Sequence, residues 1–310
     1  MKHTRPPAQF RYYEAPPDSN ALALLGPGWI REYGNDLKIL HFHNCLEIGY
    51  CHEGEGTMNF GGQKQPYTKE SITIVPPHHL HHTNSRVGQK CRWEFLFLDM
   101  DSILNNQFPE RPQLRSQFIE RIYAKSLILQ HDDHPQMANI ILAIMEEYRH
   151  KGKYYKDNVR GLLQSLMVYL MRLHDTDGIH GVSASENIGA ISTAIEYVAK
   201  HYHEKITVHS LAKACHLSET HFRRVFSQTM KISPQGYINL IRIEAVCKLL
   251  RTTNEPIGEI AVKCGFVTPS TLNRNFRDVV GMSPLQFRKD TQYYAGKLKD
   301  DHILPYEGWR

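Results

Sequence analysis

Histidine and carboxylate side chains cluster in about the first 100 residues at a spacing that suits metal binding. Alternate residues of a β-strand lie on one face, so a single strand would point His41, His43 and Glu47 the same way. His81, in the histidine-rich run 78–82, could add a third imidazole from a second strand. Imidazole and carboxylate ligands suit zinc, nickel or non-haem iron. The pattern therefore permits a bound divalent metal and, with an open coordination position, an enzyme.

Two metal-free roles for the same side chains stay open. They could line a pocket and hydrogen-bond a polar ligand, or they could point into solvent if the intervening apolar residues formed the only buried face. Aromatic rings beside hydrogen-bonding groups suit a sugar, which extends the pocket hypothesis to two tryptophans and an arginine. Trp93 is also explained simply as a core residue. The predicted effector-binding residues are Trp29, Arg31, His41, His43, Glu47, His81 and Trp93.

A second set of candidate residues lies in the last third, where segment 206–239 resembles segment 256–289 at an offset of about 50 residues. Each segment predicts a helix-turn-helix unit, with a turn between two helices and a capping residue at the start of the second helix. Polar residues between the buried positions of that second helix face outward, where Arg can bridge guanine or hold phosphate and Asn can read adenine. The predicted DNA-contacting residues are Ser218, Glu219, Thr220, His221, Arg223, Arg224, Thr268, Ser270, Asn273, Arg274 and Arg277.

A predicted spacer helix connects the two helix-turn-helix units. Ser233 can cap a helix with Pro234 at its first position, and apolar residues continue at helical spacing to Thr252. At about 1.5 Å per residue this helix spans roughly 28 Å, which approaches the roughly 34 Å repeat of B-DNA. The two units could therefore enter successive major grooves. A plain helical bundle with a solvated basic face is the alternative, and two matched copies argue against it.

The distribution of charge favours the same partner. The 310-residue chain has a net charge of +5, and residues 190–290 alone carry 14 Lys and Arg against 8 Asp and Glu. A basic segment on a nearly neutral chain favours a polyanion such as DNA. The chain has no apolar run near the roughly 20 residues that span a bilayer, and its start does not resemble a secretory signal, so we expect a cytoplasmic protein without a membrane partner. The six cysteines form no C-x-x-C pair and are interpreted as buried free thiols.

The elements that must position these residues change along the chain. Short runs rich in β-branched and aromatic residues, such as 71–75 and 93–98, predict strands in the first part. From about residue 112, apolar residues that include Phe118, Ile122 and Leu129 recur at helical spacing. The predicted fold class is α+β multidomain, with a β-barrel effector domain in 1–110, a helical region in 111–175, a linker in 176–187, an all-α DNA-binding domain in 188–292 and a polar tail in 293–310.

The last third resembles a known family of transcription regulators. Residues 190–290 resemble the DNA-binding domain of AraC-type (AraC/XylS) regulators over essentially its full length, and residues 257–288 are similar to its most distinctive stretch. This resemblance implies a double helix-turn-helix domain that binds promoter DNA, with recognition helices at about 218–229 and 268–280. RNA polymerase would be a further partner if the protein is an activator.

The front of the chain carries a second resemblance. Residues 41–47, followed by Gly54, resemble the first cupin motif, and residues 76–84 are similar to the second. AraC-type regulators often carry a cupin-like barrel (jelly roll) in front, so the two resemblances support each other. They imply that the barrel binds a small-molecule effector such as a sugar, and that the helical region forms a homodimer.

Three functions are compatible with these patterns. The leading hypothesis is a sequence-specific DNA-binding transcriptional regulator that is not an enzyme and needs no cofactor. The alternative is a metal-binding cupin enzyme with an appended helical domain, in which His41, His43, Glu47 and His81 hold a divalent metal. The third is a constitutive DNA-binding protein with a vestigial front domain. The sequence contains no glycine-rich phosphate loop, nucleophile elbow or paired-carboxylate motif that would strengthen the enzyme hypothesis.

Overall fold

The computed structural model describes residues 9–11, 13, 15, 19–34, 40–61, 63–122, 125–175, 186–230 and 232–289. The chain forms two compact units, which we call the front unit, mainly residues 13–183, and the back unit, mainly residues 184–310. Most of the predicted linker and all of the predicted polar tail lie outside the described residues. None of the described helices is both long and apolar enough to cross a membrane.

Strands occupy the first part of the chain, as predicted. They are β1 (Gln9–Arg11), β2 (Ala21–Leu24), β3 (Ile30–Arg31), β4 (His41–His43), β5 (Leu46–Glu53), β6 (Gly56–Phe60), β7 (Gln63–Tyr67), β8 (Ser71–Val75), β9 (His81–Ser85), β10 (Cys91–Leu98) and β11 (Leu127–Gln130). One sheet has the order β1-β4-β9-β6-β7 and the other has the order β11-β8-β5-β10-β2, with β3 beside β10.

The two sheets face each other through alternate residues of their strands. The ring of Tyr67 on β7 lies 4.9 Å from that of Trp93 on β10, and the ring of His43 on β4 lies 5.3 Å from that of Phe97 on β10. Because side chains alternate along a strand, the residues on the other face of β10 point away from this space. The front unit is therefore a two-layer β-structure whose interior holds aromatic rings and histidines together.

Helices cover the outer face of the second sheet. They are α1 (Met100–Gln107), α2 (Pro112–Ile122), α3 (Pro135–His150) and α4 (Tyr155–Asp175). Ile48 of β5 and Leu96 of β10 share one core cluster with Ile144 of α3 and Leu166 of α4. Burial of this shared apolar surface stabilises the unit, so the predicted helical region packs on the sheet as part of the front unit.

One prediction in this region is wrong. Leu129 was expected at a helical position, but it lies on β11, where it pairs with Ile72 of β8. The run Leu127–Gln130 is short and apolar, and periodicity alone does not distinguish a buried strand from a helical segment at this length. The sheet therefore extends into the segment that was predicted to be wholly helical.

In the back unit, residues 186–230 and 232–289 form helices joined by short connections. Its helices are α5 (Glu186–His201), α6 (Val208–Ala214), α7 (Glu219–Met230), α8 (Pro234–Thr252), α9 (Ile257–Lys263), α10 (Pro269–Val280) and α11 (Pro284–Lys289). The predicted spacer is α8, which Ser233 caps by accepting a hydrogen bond from the Gly236 amide. This helix packs against α5, α7, α9, α10 and α11. It is therefore the central support of both helix-turn-helix units as well as their connector.

The two turns use the same backbone geometry with different residues. His216 has a φ of 55° in the first turn and Gly265 has a φ of 79° in the second. In each turn the following amide donates to a carbonyl of the preceding helix, from Leu217 to Ala212 at 3.0 Å and from Phe266 to Ala261 at 2.9 Å. The left-handed region favours glycine because it has no Cβ.

Arg242 on α8 is a buried cation that joins separate parts of the back unit. Its Nε donates to the Tyr202 carbonyl oxygen and its Nη2 to the Glu204 carbonyl oxygen, both at 2.8 Å. Its guanidinium carbon also lies 5.9 Å from the centre of the Phe266 ring. The residue therefore fixes the segment after α5 against α8 and the second turn.

Candidate functional site

The second helix of each helix-turn-helix unit buries its apolar residues and exposes its polar ones. Phe222 and Phe226 on α7, and Leu272 and Phe276 on α10, are fully buried at a spacing of one helical turn. All predicted DNA-contacting residues are exposed, except that Glu219 and Asn273 are half-buried. The structure thus brings the predicted residues onto two outward-facing helix surfaces, each able to enter a major groove.

The residues on α7 are partly engaged with one another. Glu219 accepts hydrogen bonds from Nε of Arg223 at 3.0 Å and from Nη2 at 2.7 Å, and it lies 3.6 Å from Nδ1 of His209. Ser218 accepts a hydrogen bond from the His221 amide, which makes it a helix cap. A carboxylate on this surface repels phosphate and competes for an arginine that would otherwise contact DNA.

The residues on α10 are differently arranged. Thr268 caps the helix by accepting from the Thr271 amide at 3.1 Å, and Asn273 donates to the Pro269 carbonyl oxygen at 3.0 Å. The first turn of α10 contains no acidic residue, and Arg274 and Arg277 are exposed. This helix therefore offers its positive N-terminal end and its arginines without a carboxylate in the first turn to oppose them.

Inside the front unit, two histidines meet one carboxylate. Nε2 of His43 lies 3.1 Å from Oε2 of Glu47, and Nε2 of His81 lies 3.5 Å from the same oxygen. The two imidazole rings are 4.9 Å apart. All three side chains are at most 5% exposed, and the ring of Phe97 lies beside the ring of His43. We call His43, Glu47 and His81 the His/Glu cluster.

Backbone carbonyl groups decide which nitrogen of each imidazole carries hydrogen. Nδ1 of His43 donates to the Cys45 carbonyl oxygen, and Nδ1 of His81 donates to the His79 carbonyl oxygen, both at 2.9 Å. A carbonyl oxygen only accepts hydrogen bonds, so each Nδ1 carries a hydrogen, and the Nε2 atom of each ring faces Glu47. In a neutral imidazole with hydrogen on Nδ1, the Nε2 atom carries a lone pair. A carboxylate repels this lone pair unless a cation lies between them.

Burial and charge act in opposite directions on the cluster. Burial lowers the pKa of His43, which favours its neutral form, although Glu47 opposes this. Burial by itself would raise the pKa of Glu47, but His81 and His43 outweigh it and the pKa of this carboxyl lies well below its ordinary range. The cluster therefore contains a buried carboxylate at neutral pH, and a buried anion requires positive charge close by.

The structure corrects the predicted arrangement of these residues. His41 and His43 lie on β4, whereas Glu47 lies on β5, because the chain bends at residues 44–45. His41 is also buried, and His41, Glu47 and His81 each place one potential ligand atom within 4.8 Å of the others. The hypothesis that the histidines point into solvent is therefore wrong, since both faces of these strands are buried.

The aromatic candidates form a separate group along β10. Trp93 is fully buried and stacks on Phe95 with ring centres 5.8 Å apart, which favours its role as a core residue. The ring of Trp29 lies 5.5 Å from that of Phe95, and the exposed Arg31 places its guanidinium carbon 4.8 Å from the Trp29 ring. Arg31 is exposed, Trp29 is half-buried and Trp93 is fully buried, so this group extends from the surface to the interior. The His/Glu cluster lies elsewhere, beside Phe97 of β10.

Tyr13 is a residue of this site that the sequence did not indicate. Its ring lies 3.9 Å from that of Phe97 and 5.8 Å from that of His43. Its amide donates to Oδ1 of Asn44 at 2.7 Å, and Nδ2 of Asn44 donates to the Tyr13 carbonyl oxygen at 2.8 Å. A tyrosine far from the cluster in sequence carries no local signal for this contact, which only the folded chain creates.

Comparison with known protein families gives two matches that agree with these two units. Residues 30–170 match the AraC-like ligand binding domain, and residues 211–290 match a helix-turn-helix domain. The front unit therefore contains an AraC-like ligand binding domain, and the back unit contains a helix-turn-helix domain. The AraC-like match covers strands β3 to β11, helices α1 to α3 and most of α4, and the helix-turn-helix match covers both α7 and α10.

Curated relatives of this chain are transcription regulators by name. The HTH-type transcriptional regulator YisR of Bacillus subtilis is 30% identical over 128 residues, which are 41% of this chain and 42% of that protein. The melibiose operon regulatory protein of Escherichia coli is 31% identical over 102 residues, 33% of this chain and 34% of that protein. The chain thus spans less than half the length of these relatives. Among solved structures, the DNA-binding domain of AdpA in complex with a target DNA is 28% identical, with a TM-score of 0.32, and covers 35% of this chain and 96% of that one.

Proposed function

We propose that this protein is a transcription regulator that binds specific sites in double-stranded DNA and responds to a small polar effector. The carrying observation is that α7 and α10 each bury a pair of apolar residues and expose arginines, while both helices pack on the single support α8. A support that contacts both reading helices holds them at one separation. Such a pair can read two stretches of one duplex as a unit.

The two reading helices are proposed to contribute differently. On α10, exposed arginines and a helix N-terminus favour phosphate and base contacts. On α7, Glu219 holds Arg223, so DNA has to compete with an existing ion pair before that arginine is released. We expect α10 to supply more of the binding free energy and α7 to contribute more to discrimination between sites.

The effector is proposed to be a sugar or a similar polar molecule bound in the front unit. The His/Glu cluster supplies hydrogen-bonding groups, and Trp29 with Arg31 supplies an aromatic and cationic surface. The name of the melibiose operon regulatory protein supports including melibiose in an effector screen. An effector regulates DNA binding only if it binds two states of the protein with different affinity.

DNA binding is tested by titrating the purified chain against a duplex of its own upstream DNA and against a random duplex, each at two salt concentrations. We expect the upstream site to bind at least about a thousandfold more tightly than random DNA. Equal binding to both duplexes that weakens steeply with salt would show only nonspecific electrostatic attachment and would contradict the proposal.

Arg274→Ala measures the contribution of α10. The variant should weaken specific binding by about 1–3 kcal/mol and relax the preference at one base pair, because an arginine that bridges guanine carries sequence information. The matched control is Lys248→Ala, which removes an exposed cation from α8 instead. An equal loss on random DNA would assign Arg274 to phosphate, and an equal loss in the control would show that only net charge matters.

The effector is tested with a panel of mono- and disaccharides. A ligand of the proposed site should raise the melting temperature of the front unit and change the affinity for the upstream duplex. Trp29→Ala should abolish both effects, whereas Tyr154→Ala, which removes an exposed aromatic ring elsewhere in the same unit, should abolish neither. DNA affinity that ignores every ligand would support a constitutive DNA-binding protein.

We also propose two protein partners, a second copy of this chain and RNA polymerase. A homodimer formed through the helices of residues 111–175 should appear in light scattering as twice the mass of the 35.9 kDa chain. Contact with RNA polymerase is expected only if the protein activates transcription, which a reporter assay with and without the gene would decide.

A further inference from the structure

We propose that two asparagines between α8 and α10, Asn239 and Asn275, fix the rotation of α10 on its support and thereby determine how strictly the protein discriminates between DNA sites. We call these two residues the asparagine pair. They are positioning residues and not DNA contacts, because Asn275 is 7% exposed and Asn239 is half-buried. The inference rests on the proposed DNA-binding function and adds to it residues outside the exposed set that was predicted to contact DNA.

A directed chain of side-chain amides connects the two helices. Nδ2 of Asn239 donates to Oδ1 of Asn275 at 2.8 Å, and Nδ2 of Asn275 donates to the Thr271 carbonyl oxygen in the first turn of α10, also at 2.8 Å. Nε2 of Gln235 donates to Oδ1 of Asn239 at 3.3 Å. A backbone carbonyl oxygen only accepts hydrogen bonds, so the Thr271 carbonyl group determines which end of each amide faces the next one. The chain of amides therefore has a single orientation.

The first helix-turn-helix unit shows that the same position does not need an amide for packing. At the offset of 50 residues between the two repeats, Asn275 corresponds to Val225 on α7. Both side chains are 7% exposed, so the two positions are equally buried. Burying an amide costs free energy unless it finds hydrogen-bond partners, whereas burying a valine is favourable. Asn275 therefore adds a polar contact that a valine at this position cannot make.

This polar contact restricts α10 in a way that apolar packing does not. The buried apolar residues of α10 are Leu272, Phe276, Val279 and Val280. Their attraction to α8 and its neighbours is non-directional and depends on the area that is buried. A hydrogen bond is directional and weakens steeply when its angle departs from linear. The asparagine pair therefore opposes rotations of α10 that the apolar contacts tolerate, as a buried asparagine fixes the register of helices in coiled coils.

The rotation of α10 determines where its arginines point. Arg274 precedes Asn275 in sequence, and Arg277 follows it by two positions. A helix with its side chains has a radius of about 5–6 Å, so a rotation of about 20° moves a side-chain tip by about 2 Å. Hydrogen bonds to a base edge tolerate a range of only about 0.5 Å between donor and acceptor. Such a rotation breaks base contacts but leaves the arginines near enough to attract phosphate.

The first test measures the affinity for the upstream duplex divided by the affinity for the random duplex, which we call the discrimination ratio. Asn275→Val should lower this ratio at least about 10-fold, which corresponds to the loss of one base contact. The affinity for random DNA should stay within about 2-fold, because nonspecific attraction depends on charge.

A double variant separates positioning from stability. Asn239→Leu/Asn275→Val removes both polar groups, so no amide of the pair is left without its partner. Its melting temperature should therefore recover relative to Asn275→Val, while its discrimination ratio should stay low. A purely structural role of the pair predicts instead that the discrimination ratio follows the melting temperature.

Val279→Ala is the matched control. It removes buried apolar surface from α10 one helical turn beyond Asn275 and keeps the asparagine pair. It should lower the melting temperature at least as much as Asn275→Val does and leave the discrimination ratio unchanged. Circular dichroism checks that each variant folds. If Asn275→Val does not fold, Asn239→Ala takes its place, because Asn239 is only half-buried.

A second test needs no DNA. Nitroxide spin labels on Lys248→Cys of α8 and Asp278→Cys of α10, both at exposed positions, report the distance between the two helices. Cys215→Ser removes the one cysteine that is not buried, and an excess of unlabelled chain suppresses signals between chains. The chain with the asparagine pair should give one narrow distance distribution. Val279→Ala should keep this distribution, and Asn275→Val should broaden or shift it.

Three results would overturn the proposal. The first is a folded Asn275→Val protein with an unchanged distance distribution, and the second is the same protein with an unchanged discrimination ratio. The third is a discrimination ratio that recovers together with the melting temperature in the double variant, which would assign the pair to stability alone. If the natural chain binds both duplexes equally, the proposed function fails, and the distance distributions then decide whether the pair positions α10.

Discussion

Replacing Glu94 with glutamine should destabilise the front unit at neutral pH, because this carboxylate joins three parts of the unit. Nη2 of Arg149 on α3 donates to both of its oxygens at 2.7 Å, and Nε2 of His52 on β5 lies 2.9 Å from Oε2. The Gly26 amide donates to Oε1 at 3.1 Å. The side chain of Glu94 is only 5% exposed, so the hydrogen bonds lie in a largely dry environment.

The expected magnitude follows from the pKa of Glu94. Burial by itself raises this pKa, but the hydrogen bonds from His52, Arg149 and Gly26 outweigh burial and lower the pKa from 4.5 to about 2. A shift of this size corresponds to at most about 3–4 kcal/mol. Because the Arg149 side chain is 35% exposed, solvent screening reduces the expected loss in Glu94→Gln to about 2 kcal/mol.

The sign of the pH dependence is determined by the direction of the shift. A carboxyl whose pKa is lower in the folded state stabilises that state fully above its unfolded pKa, and this contribution is lost as the pH falls through the folded pKa. The stability gap between the natural chain and Glu94→Gln should therefore be constant above about pH 5 and close between about pH 4.5 and pH 2.

Urea unfolding, followed by circular dichroism and tryptophan fluorescence, measures this gap at pH 7 and again at the lowest pH at which both proteins fold. The matched control is Glu146→Gln, because Glu146 also pairs with Arg149 but its side chain is 56% exposed. It should cost less than about 0.5 kcal/mol. The reasoning is refuted if the two variants lose equal stability, or if the gap for Glu94→Gln is the same at acidic and neutral pH.

Three further predictions concern the back unit. Leu272→Ala should lower the free energy of unfolding by about 2–5 kcal/mol because the Leu272 side chain is fully buried. The control Val262→Ala should lower it by less than about 0.5 kcal/mol because Val262 is exposed. Equal melting temperatures of the two variants would contradict this prediction. Arg242→Met should cost about 2–4 kcal/mol, since two backbone carbonyl groups lose a charged donor, and urea unfolding that shows no loss would refute the role of the guanidinium. Glu219→Gln should tighten DNA binding about 2–5-fold at low salt by releasing Arg223, and weaker binding in a fluorescence titration would instead indicate that Glu219 contacts a base.

Most of the back unit was predictable because its signals are local. Ser233 followed by Pro234 marks the start of α8, and the apolar spacing that follows predicts its end at Thr252, as observed. The helices predicted at about 218–229 and 268–280 are confirmed as Glu219–Met230 and Pro269–Val280. A repeated pattern strengthens each copy, because the same capping and packing residues recur in the same order.

The front unit was predictable in class but less so in detail. The predicted sheet-rich, cupin-like domain is confirmed, and it matches an AraC-like ligand binding domain. The strand at Leu129 was missed because a short apolar run carries no distinct period, and its identity depends on pairing with β8. The single strand proposed for His41 to Glu47 is divided between β4 and β5, although the side chains still converge.

The sequence by itself determined the order of the elements, the caps, the two reading helices and the residue types that converge in the front unit. Each of these depends on neighbours a few positions away along the chain. Only the tertiary structure decided that Tyr13 packs beside His43, that Arg149 binds Glu94 and that Arg242 holds the segment after α5. These contacts join residues far apart in sequence, and the free energy that selects them comes from burial and from pairing of charged groups that are adjacent only in the folded chain.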